Sequence, residues 1–106
     1  MTKRRKKLKN YEVLTVFKAS LDADEIDKNL SKIEENVNKF EGKIVKVEKI
    51  GRKKLAYDIQ KFSDGYFVNQ IVALPAEKVK EFRRMLKLND NILRIMLLDI
   101  TEKAAV

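Results

Sequence analysis

Histidine and cysteine are both absent from this 106-residue chain, which contains only three glycines and one proline. The commonest general base, the thiolate nucleophile and the usual transition-metal ligands are therefore missing. The glycines, at positions 42, 51 and 65, are too scattered to form a phosphate-binding loop. The neighbouring carboxylates Glu34 and Glu35 point apart on a predicted helix, so they do not form an acid/base pair. The sequence predicts a protein that is not an enzyme and has no metal or cofactor.

Long apolar runs are also absent. The longest span only a few residues, far fewer than a membrane helix needs, and no apolar secretory segment follows the first methionine. The lack of cysteine excludes a disulfide framework and fits a reducing compartment. A chain of this length is large enough for one hydrophobic core. We therefore expect one compact, soluble, cytoplasmic domain.

The formal net charge of +8 is concentrated at the N-terminus. Residues 1–10 contain six cations and no acid, whereas residues 11–106 contain 18 cations and 16 acids. A block of like charge is expected to be disordered when free and to bind a polyanion by releasing counterions. It could also serve only as a solubilising terminus. We predict a disordered basic leader over residues 1–10, one domain over residues 11–100 and a short tail over residues 101–106.

Apolar periodicity predicts six elements in the order strand, helix, strand, strand, helix, strand. Asp22 and Glu25 resemble a capping box that starts the first helix, and Gly42 is predicted to take the left-handed position after it. The stretch "KFSDG" is predicted to turn between the second and third strands. This order is that of the α+β, ferredoxin-like split βαβ fold, with two helices on one face of a four-stranded antiparallel sheet. The strands are predicted at residues 11–17, 43–59, 66–74 and 92–100, and the helices at residues 22–41 and 76–88.

In three of the strands, apolar residues occupy both the odd and the even positions, so that both faces of the strand are partly apolar. A sheet with helices on only one face should instead alternate apolar and polar residues. Long side chains and the tail could shield the second face, but a contiguous apolar patch is also typical of a docking surface for a protein. The candidate partner-facing residues are Tyr11, Leu14, Phe67, Ile71, Leu93 and Met96.

The charge distribution favours nucleic-acid binding. Residues 43–54 contain six cations and one acid, and residues 76–89 contain five cations and two acids. The strand order is shared with the RNA-recognition motif, and "DGYFVNQ" is similar to the start of its aromatic signature. However, Gln70 stands where the next aromatic is expected, and only Tyr11 and Phe17 could form a stacking pair in the first strand. A module that binds single-stranded RNA on its sheet face is the alternative function.

The central stretch "KVEKIGRKKLAYDI" has the pattern G-x-[KR]-x-L-A-Y-x-I, and "YEV", "GYF" and "DNILRIM" accompany it. With these motifs, the sequence from about Asn10 to Ile100 resembles the bacterial small-subunit ribosomal protein S6 family. The resemblance implies a ferredoxin-like fold, no catalysis, and a heterodimer with ribosomal protein S18 that binds 16S ribosomal RNA in the central platform of the 30S subunit. The chain departs from the family in its long basic leader, in its short C-terminal tail and at Asn69, where some relatives have a larger aromatic residue.

Gly51 interrupts the second strand of this motif, directly before three cations. A glycine at this position permits a bulge or bend, so we expect a projecting hairpin that carries Arg52, Lys53 and Lys54 and is anchored by Leu55 and Tyr57. Alternatively, the glycine serves only the twist of the sheet and the cations are merely solvated. The candidate RNA-binding residues are Lys3, Arg4, Arg5, Lys9, Arg52, Lys53, Lys54 and Arg94.

Overall fold

Four strands and two helices make up the part of the chain described in the computed structural model, residues 8–100. The sheet has the order β2-β3-β1-β4, and each neighbouring pair is antiparallel. This topology confirms the predicted ferredoxin-like split βαβ fold. The elements are β1 (Leu8–Lys18), α1 (Ala23–Lys39), β2 (Lys43–Ile59), β3 (Phe62–Pro75), α2 (Val79–Lys87) and β4 (Ile92–Asp99), with a 3₁₀ turn at Ala76–Lys78 before α2.

Strand β1 begins three residues earlier than predicted. Leu8 pairs with Pro75 and Lys9 with Leu74, because β3 extends far enough to offer both residues a hydrogen-bonding neighbour. The predicted leader boundary at residue 10 is therefore wrong. Residues 1–7 and 101–106 lie outside the described part of the chain, and with them Lys3, Arg4, Arg5 and the predicted tail.

The core lies between the two helices and one face of the sheet. Alternate residues of a strand point to the same face, and in β1 the core face includes Tyr11, Val13 and Phe17. Tyr11 is only 5% exposed, so the prediction that it contacts a partner is wrong. The remaining residues of the buried core cluster are Ile26, Ile33 and Val37 of α1, Val68, Val72 and Leu74 of β3, Phe82 and Leu86 of α2, and Ile92 of β4.

Helix α1 starts as predicted but ends differently. The backbone N–H of Glu25 donates to Asp22 Oδ1 at 2.8 Å and that of Asp22 donates to Glu25 Oε1 at 3.0 Å, which confirms the capping box. At the other end Glu41, with φ 67°, takes the left-handed position, so the prediction for Gly42 is wrong. Gly42 is needed for a different reason, since a Cβ there would lie less than 3.0 Å from the carbonyl oxygen of Ala73.

The β2–β3 hairpin turns at Gln60 and Lys61, whose φ values are 50° and 70°. Two consecutive positive φ angles are what a two-residue type I′ turn requires. The predicted turn at "KFSDG" is only partly confirmed: its first residue, Lys61, lies in the turn, but Asp64 and Gly65 pair with Lys54 and Lys53 within the sheet. Cross-strand pairing has outweighed the local preference of these residues for a turn.

Candidate protein and nucleic-acid interface

The face of the sheet opposite the helices, here called the open face, is apolar at one end. Val16 lies between Phe67 and Arg94, and Leu14 lies beside Met96. Met96 is 53% exposed and Leu98 of the same strand is 54% exposed. The second apolar face expected from the sequence is therefore present and only partly covered.

The centre of the open face is polar. Asn69 Nδ2 donates a hydrogen bond to Glu12 Oε2 at 3.0 Å across the β1–β3 pair. Asn69 stands at the position where a larger aromatic residue was expected, and here it pairs with a carboxylate instead. The apolar end of the open face is thus separated from the rest of the sheet by a hydrogen-bonded polar pair.

Gly51 forms a bulge in β2, as the sequence predicted. Its φ is 104°, and the β2–β3 register shifts between Lys49 and Gly51, so that Ile50 is an extra residue. No atom lies within 4 Å of a Cβ placed on Gly51. The glycine is therefore required by the backbone conformation and not by lack of space.

The β2–β3 register shifts at two other places, between Ile44 and Lys46 and, by more residues, between Lys54 and Ile59; the larger shift was not predicted. Lys54 pairs with Asp64 and Ile59 with Phe62, so the four residues Leu55–Asp58 stand opposite the single residue Ser63. We call Leu55–Asp58 the flap. Leu55 of the flap lies over Gly65, since a Cβ on Gly65 would be 3.4 Å from Leu55 Cδ2.

The flap and the open face enclose a groove of about 270 Å³. Its walls are mostly apolar, and its mouth is open to solvent. The lining residues are Leu14 and Val16 of β1, Phe67 of β3, Arg94, Ile95 and Met96 of β4, and Lys54, Leu55, Ala56, Tyr57 and Ile59 of β2. A groove of this composition fits an apolar side chain or a short segment of another protein.

Arg94 links the tip of the flap to β4 at the rim of the groove. Its Nη1 donates to the hydroxyl of Tyr57, and its guanidinium carbon lies 5.5 Å from the centroid of the Tyr57 ring. An arginine over an aromatic face is attracted by the ring quadrupole. Arg94, a candidate RNA contact, thus has an intramolecular partner at the rim of the groove.

Of the predicted partner-facing residues, the structure brings Leu14, Phe67 and Met96 together in the groove. Ile71 is half-buried on the open face, between Glu12 and Lys46 and outside the groove. Leu93 is half-buried where the β1–β4 register shifts, and it does not line the groove. Val16 and Leu55 line the groove but were not among the candidates. Val16 is two residues from Leu14 in the same strand and so points to the same face, which the sequence pattern could have indicated. No feature of the sequence indicated the flap that carries Leu55.

The described RNA-binding candidates fall into two distant groups. Arg52, Lys53 and Lys54 are exposed at one end of the sheet, where Arg52 Nη2 also donates to the carbonyl oxygen of Ala19 at 2.8 Å. Lys9 is half-buried at the other end. Lys53 pairs with Gly65 and Lys9 with Leu74, nine positions further along β3, which corresponds to about 30 Å.

Two ionisable groups have altered pKa values. A hydrogen bond to Asp27, with Nζ 2.5 Å from Oδ1, raises the pKa of Lys49 and joins β2 to α1. Burial, and secondarily the negative charge of Asp99, raises the pKa of Tyr11 above its ordinary value of 10.0. Neither group lines the groove.

The described residues offer no acidic cluster that could hold a metal ion, and neither described helix is long and apolar enough to cross a membrane. Base stacking on the first strand is also disfavoured. Tyr11 and Phe17, the two aromatic residues available for it, are buried in the core on the helix side. The open face therefore lacks the β1 aromatic pair that the RNA-recognition alternative would use.

A family model described as ribosomal protein S6 matches residues 10–99 of the chain. The chain belongs to the ribosomal protein S6 family. Small ribosomal subunit protein bS6 of Clostridioides difficile is 39% identical over 90 residues, covering 85% of this chain and 97% of that protein. The bS6 protein of Elusimicrobium minutum is 38% identical over 99 residues, covering 92% of this chain and 94% of that protein. Both relatives match nearly end to end.

A crystal structure of 30S ribosomal protein S6 from Thermotoga maritima has the same fold, with a TM-score of 0.84 over 93% of this chain and 94% of that one, at 21% identity. Family membership confirms the resemblance seen in the motif around Gly51. As a member of this family, the chain is a structural protein of the small subunit of the cytoplasmic ribosome and is not an enzyme.

Proposed function

We propose that this S6-family chain binds ribosomal protein S18 through the groove on its open face and, together with S18, binds 16S ribosomal RNA in the central platform of the 30S subunit. The groove is the observation that carries the proposal. Met96 in its lining and Leu98 beside it are both more than half exposed, and Tyr57 at its rim is 58% exposed. Contiguous apolar surface of this kind is typical of a protein contact.

The mostly aliphatic lining of the groove favours a protein over a nucleic-acid base. Its floor consists of Leu14, Val16 and Phe67, and the aliphatic Leu55 forms part of its wall. Protein interfaces concentrate their binding energy in a few large central side chains that become fully desolvated. Phe67 is half-buried at the centre of this floor and is our candidate anchor.

The cations after Gly51 are proposed to contact RNA phosphates. Lys53 and Lys54 are exposed and form no ion pair within the described residues, so their charges are available to a polyanion. They lie next to the flap, and an RNA bound there would therefore lie beside a protein seated in the groove. The basic residues Lys3, Arg4 and Arg5 are proposed to add sequence-independent attraction to the same RNA.

A charge placed at the groove tests the protein contact. Met96→Asp introduces a carboxylate where the partner is expected to bury apolar surface, whereas Leu88→Asp introduces the same group on the helix layer, at a residue that is 73% exposed. Titration calorimetry with purified S18 should show at least a tenfold loss of affinity for Met96→Asp and none for Leu88→Asp. Equal affinities for the two variants would refute the groove as the S18 site.

The RNA contact is tested with S18 present. Lys53→Ala should flatten the dependence of 16S RNA affinity on salt by about 0.7 to 0.9 if one phosphate contact is lost. Lys53 does not line the groove, so this change leaves the proposed S18 site intact. The control Lys28→Ala removes the same charge from α1 and should leave the slope unchanged. Identical slopes would refute the hairpin assignment. Binding of single-stranded RNA without S18, abolished by Phe67→Ala, would instead support the recognition-motif alternative.

A further inference from the structure

The outward side of α2 carries a row of cations that the groove and the hairpin do not use. Lys80, Arg84 and Lys87 follow one another at spacings of four and three residues, and all are exposed. Phe82 and Leu86 point the other way and are fully buried. These spacings place the three cations along one side of the helix, opposite its buried side.

Ordinary helix stabilisation does not account for this row. A solvated helix normally mixes both signs, as α1 does with five acids and three lysines, whereas α2 contains four cations and the single acid Glu81. Cations near a helix C-terminus interact favourably with the helix dipole, which explains Arg84 and Lys87. Lys80 lies in the first turn, where the dipole disfavours a cation. None of the three forms an ion pair within residues 8–100.

The row also lies where the basic leader joins the fold. Leu8 pairs with Pro75, and Pro75 directly precedes the 3₁₀ turn that leads into α2. Leu8, the first residue that the structure describes, therefore lies at the end of the sheet where α2 begins, and in the sequence it directly follows five consecutive cations, residues 3–7. This surface is on the helix side, so a protein bound in the groove on the open face leaves it accessible.

We propose that Lys80, Arg84 and Lys87, flanked by Arg83, bind the phosphate backbone of ribosomal RNA on the side of the sheet opposite the protein groove. This inference rests on the proposed function, which supplies the RNA. The row extends about 10 Å along the helix axis. A row of this length can contact more than one phosphate of a nucleic-acid strand. The proposed contact does not depend on the RNA sequence, because the lysine and arginine side chains bind only the phosphate backbone.

The absence of cysteine allows a direct test of proximity. Arg84→Cys gives a single thiol to which an iron chelate can be tethered, and the labelled chain is reconstituted with S18, 16S ribosomal RNA and the remaining small-subunit proteins. We expect hydroxyl radicals from this site to cut the RNA backbone. Glu35→Cys, on the outward side of α1, is the matched control and should cut far less.

The same experiment separates this inference from the proposed function. Lys53→Cys reports on the hairpin: cuts from Lys53 without cuts from Arg84 would overturn the α2 contact and leave the proposed function standing. A wild-type chain that does not enter the particle would refute both. Cross-linking of the Arg84→Cys thiol to another protein, with no RNA cleavage, would assign the row to a protein contact and overturn the inference.

A salt titration supplies the second readout. Lys80→Gln/Arg84→Gln/Lys87→Gln should lower the magnitude of the salt slope of RNA association by about 2 to 3, at 0.7 to 0.9 for each lost contact. The control Lys28→Gln/Lys32→Gln/Lys39→Gln removes the same charge from exposed positions of α1. Equal slopes for the two triple variants, measured with S18 present, would overturn the inference.

Discussion

Gly65→Ala should destabilise the fold because the new methyl group has no space between the sheet and the flap. A Cβ at this position would lie less than 3.0 Å from Val16 Cγ1 and 3.4 Å from Leu55 Cδ2, while carbon atoms pack at about 3.5 to 4.0 Å. Overpacking of this kind costs about 1 to 3 kcal/mol. For a domain of this size, the loss corresponds to a drop in melting temperature of roughly 5 to 20 °C.

A double-mutant cycle identifies the cause. Val16→Ala alone removes two buried methyl groups and should cost about 1.6 kcal/mol. It also removes the atom nearest to the new Cβ, so Gly65→Ala/Val16→Ala should be more stable than the sum of the two single changes by about 1 to 3 kcal/mol. Urea unfolding followed by circular dichroism measures all four species. Additive costs would show that Gly65 does not pack against Val16.

Gly51→Ala is the control for this cycle. Nothing lies within 4 Å of its Cβ, but its φ of 104° is strained for any residue with a side chain. It should cost about 1 to 3 kcal/mol through backbone strain alone, with no rescue by Val16→Ala. Rescue of Gly51→Ala to the same extent would refute the packing explanation at Gly65.

Two further predictions concern the core. Val37→Ala truncates a fully buried side chain of α1 and should lower the free energy of unfolding by about 2 to 3 kcal/mol. The control Glu34→Ala, on the exposed side of α1, should change it by less than about 0.5 kcal/mol. Equal urea midpoints for the two variants would contradict the orientation of the helix. Burial raises the pKa of Tyr11 in the folded state above its ordinary value of 10.0. The resulting contribution to stability is fully present below pH 10.0 and is lost as the pH rises through the higher folded-state pKa. Urea midpoints between about pH 8 and about pH 11 should therefore fall less for Tyr11→Phe than for the wild type, and identical curves would show that Tyr11 does not titrate with unfolding.

The order of elements and the α1 cap were predictable because both depend on local patterns. Asp22 and Glu25 are three residues apart, and the start of the helix that they cap can be recognised without knowledge of any tertiary contact. The position after α1 was not predictable, since the close approach of Gly42 to Ala73 depends on how β3 lies against the chain. The hairpin turn was predicted only in part, since Gln60 and Lys61 have positive φ although neither is glycine.

The candidate site was predictable in part. Apolar residues on both positions of the strands showed that the sheet has two apolar faces, but not which face the helices cover. Tyr11 was therefore assigned to the wrong face, although Leu14, Phe67 and Met96 were assigned correctly to the open one. The flap escaped prediction because Leu55, Tyr57 and Ile59 alternate as in a regular strand. Only the pairing with β3 reveals that four residues there oppose one.

Calorimetric titration of S18 into the Phe67→Ala and Val68→Ala variants is the most direct test of the proposed binding face. These adjacent residues of β3 point to opposite faces: Phe67 lies on the floor of the groove, and Val68 is fully buried beneath the helices. Phe67→Ala should weaken S18 binding by at least tenfold, about 1.4 kcal/mol. Val68→Ala should lower the free energy of unfolding but bind S18 normally per folded molecule. Normal binding by Phe67→Ala, together with weakened binding by folded Val68→Ala, would place the partner on the helix side and contradict the account.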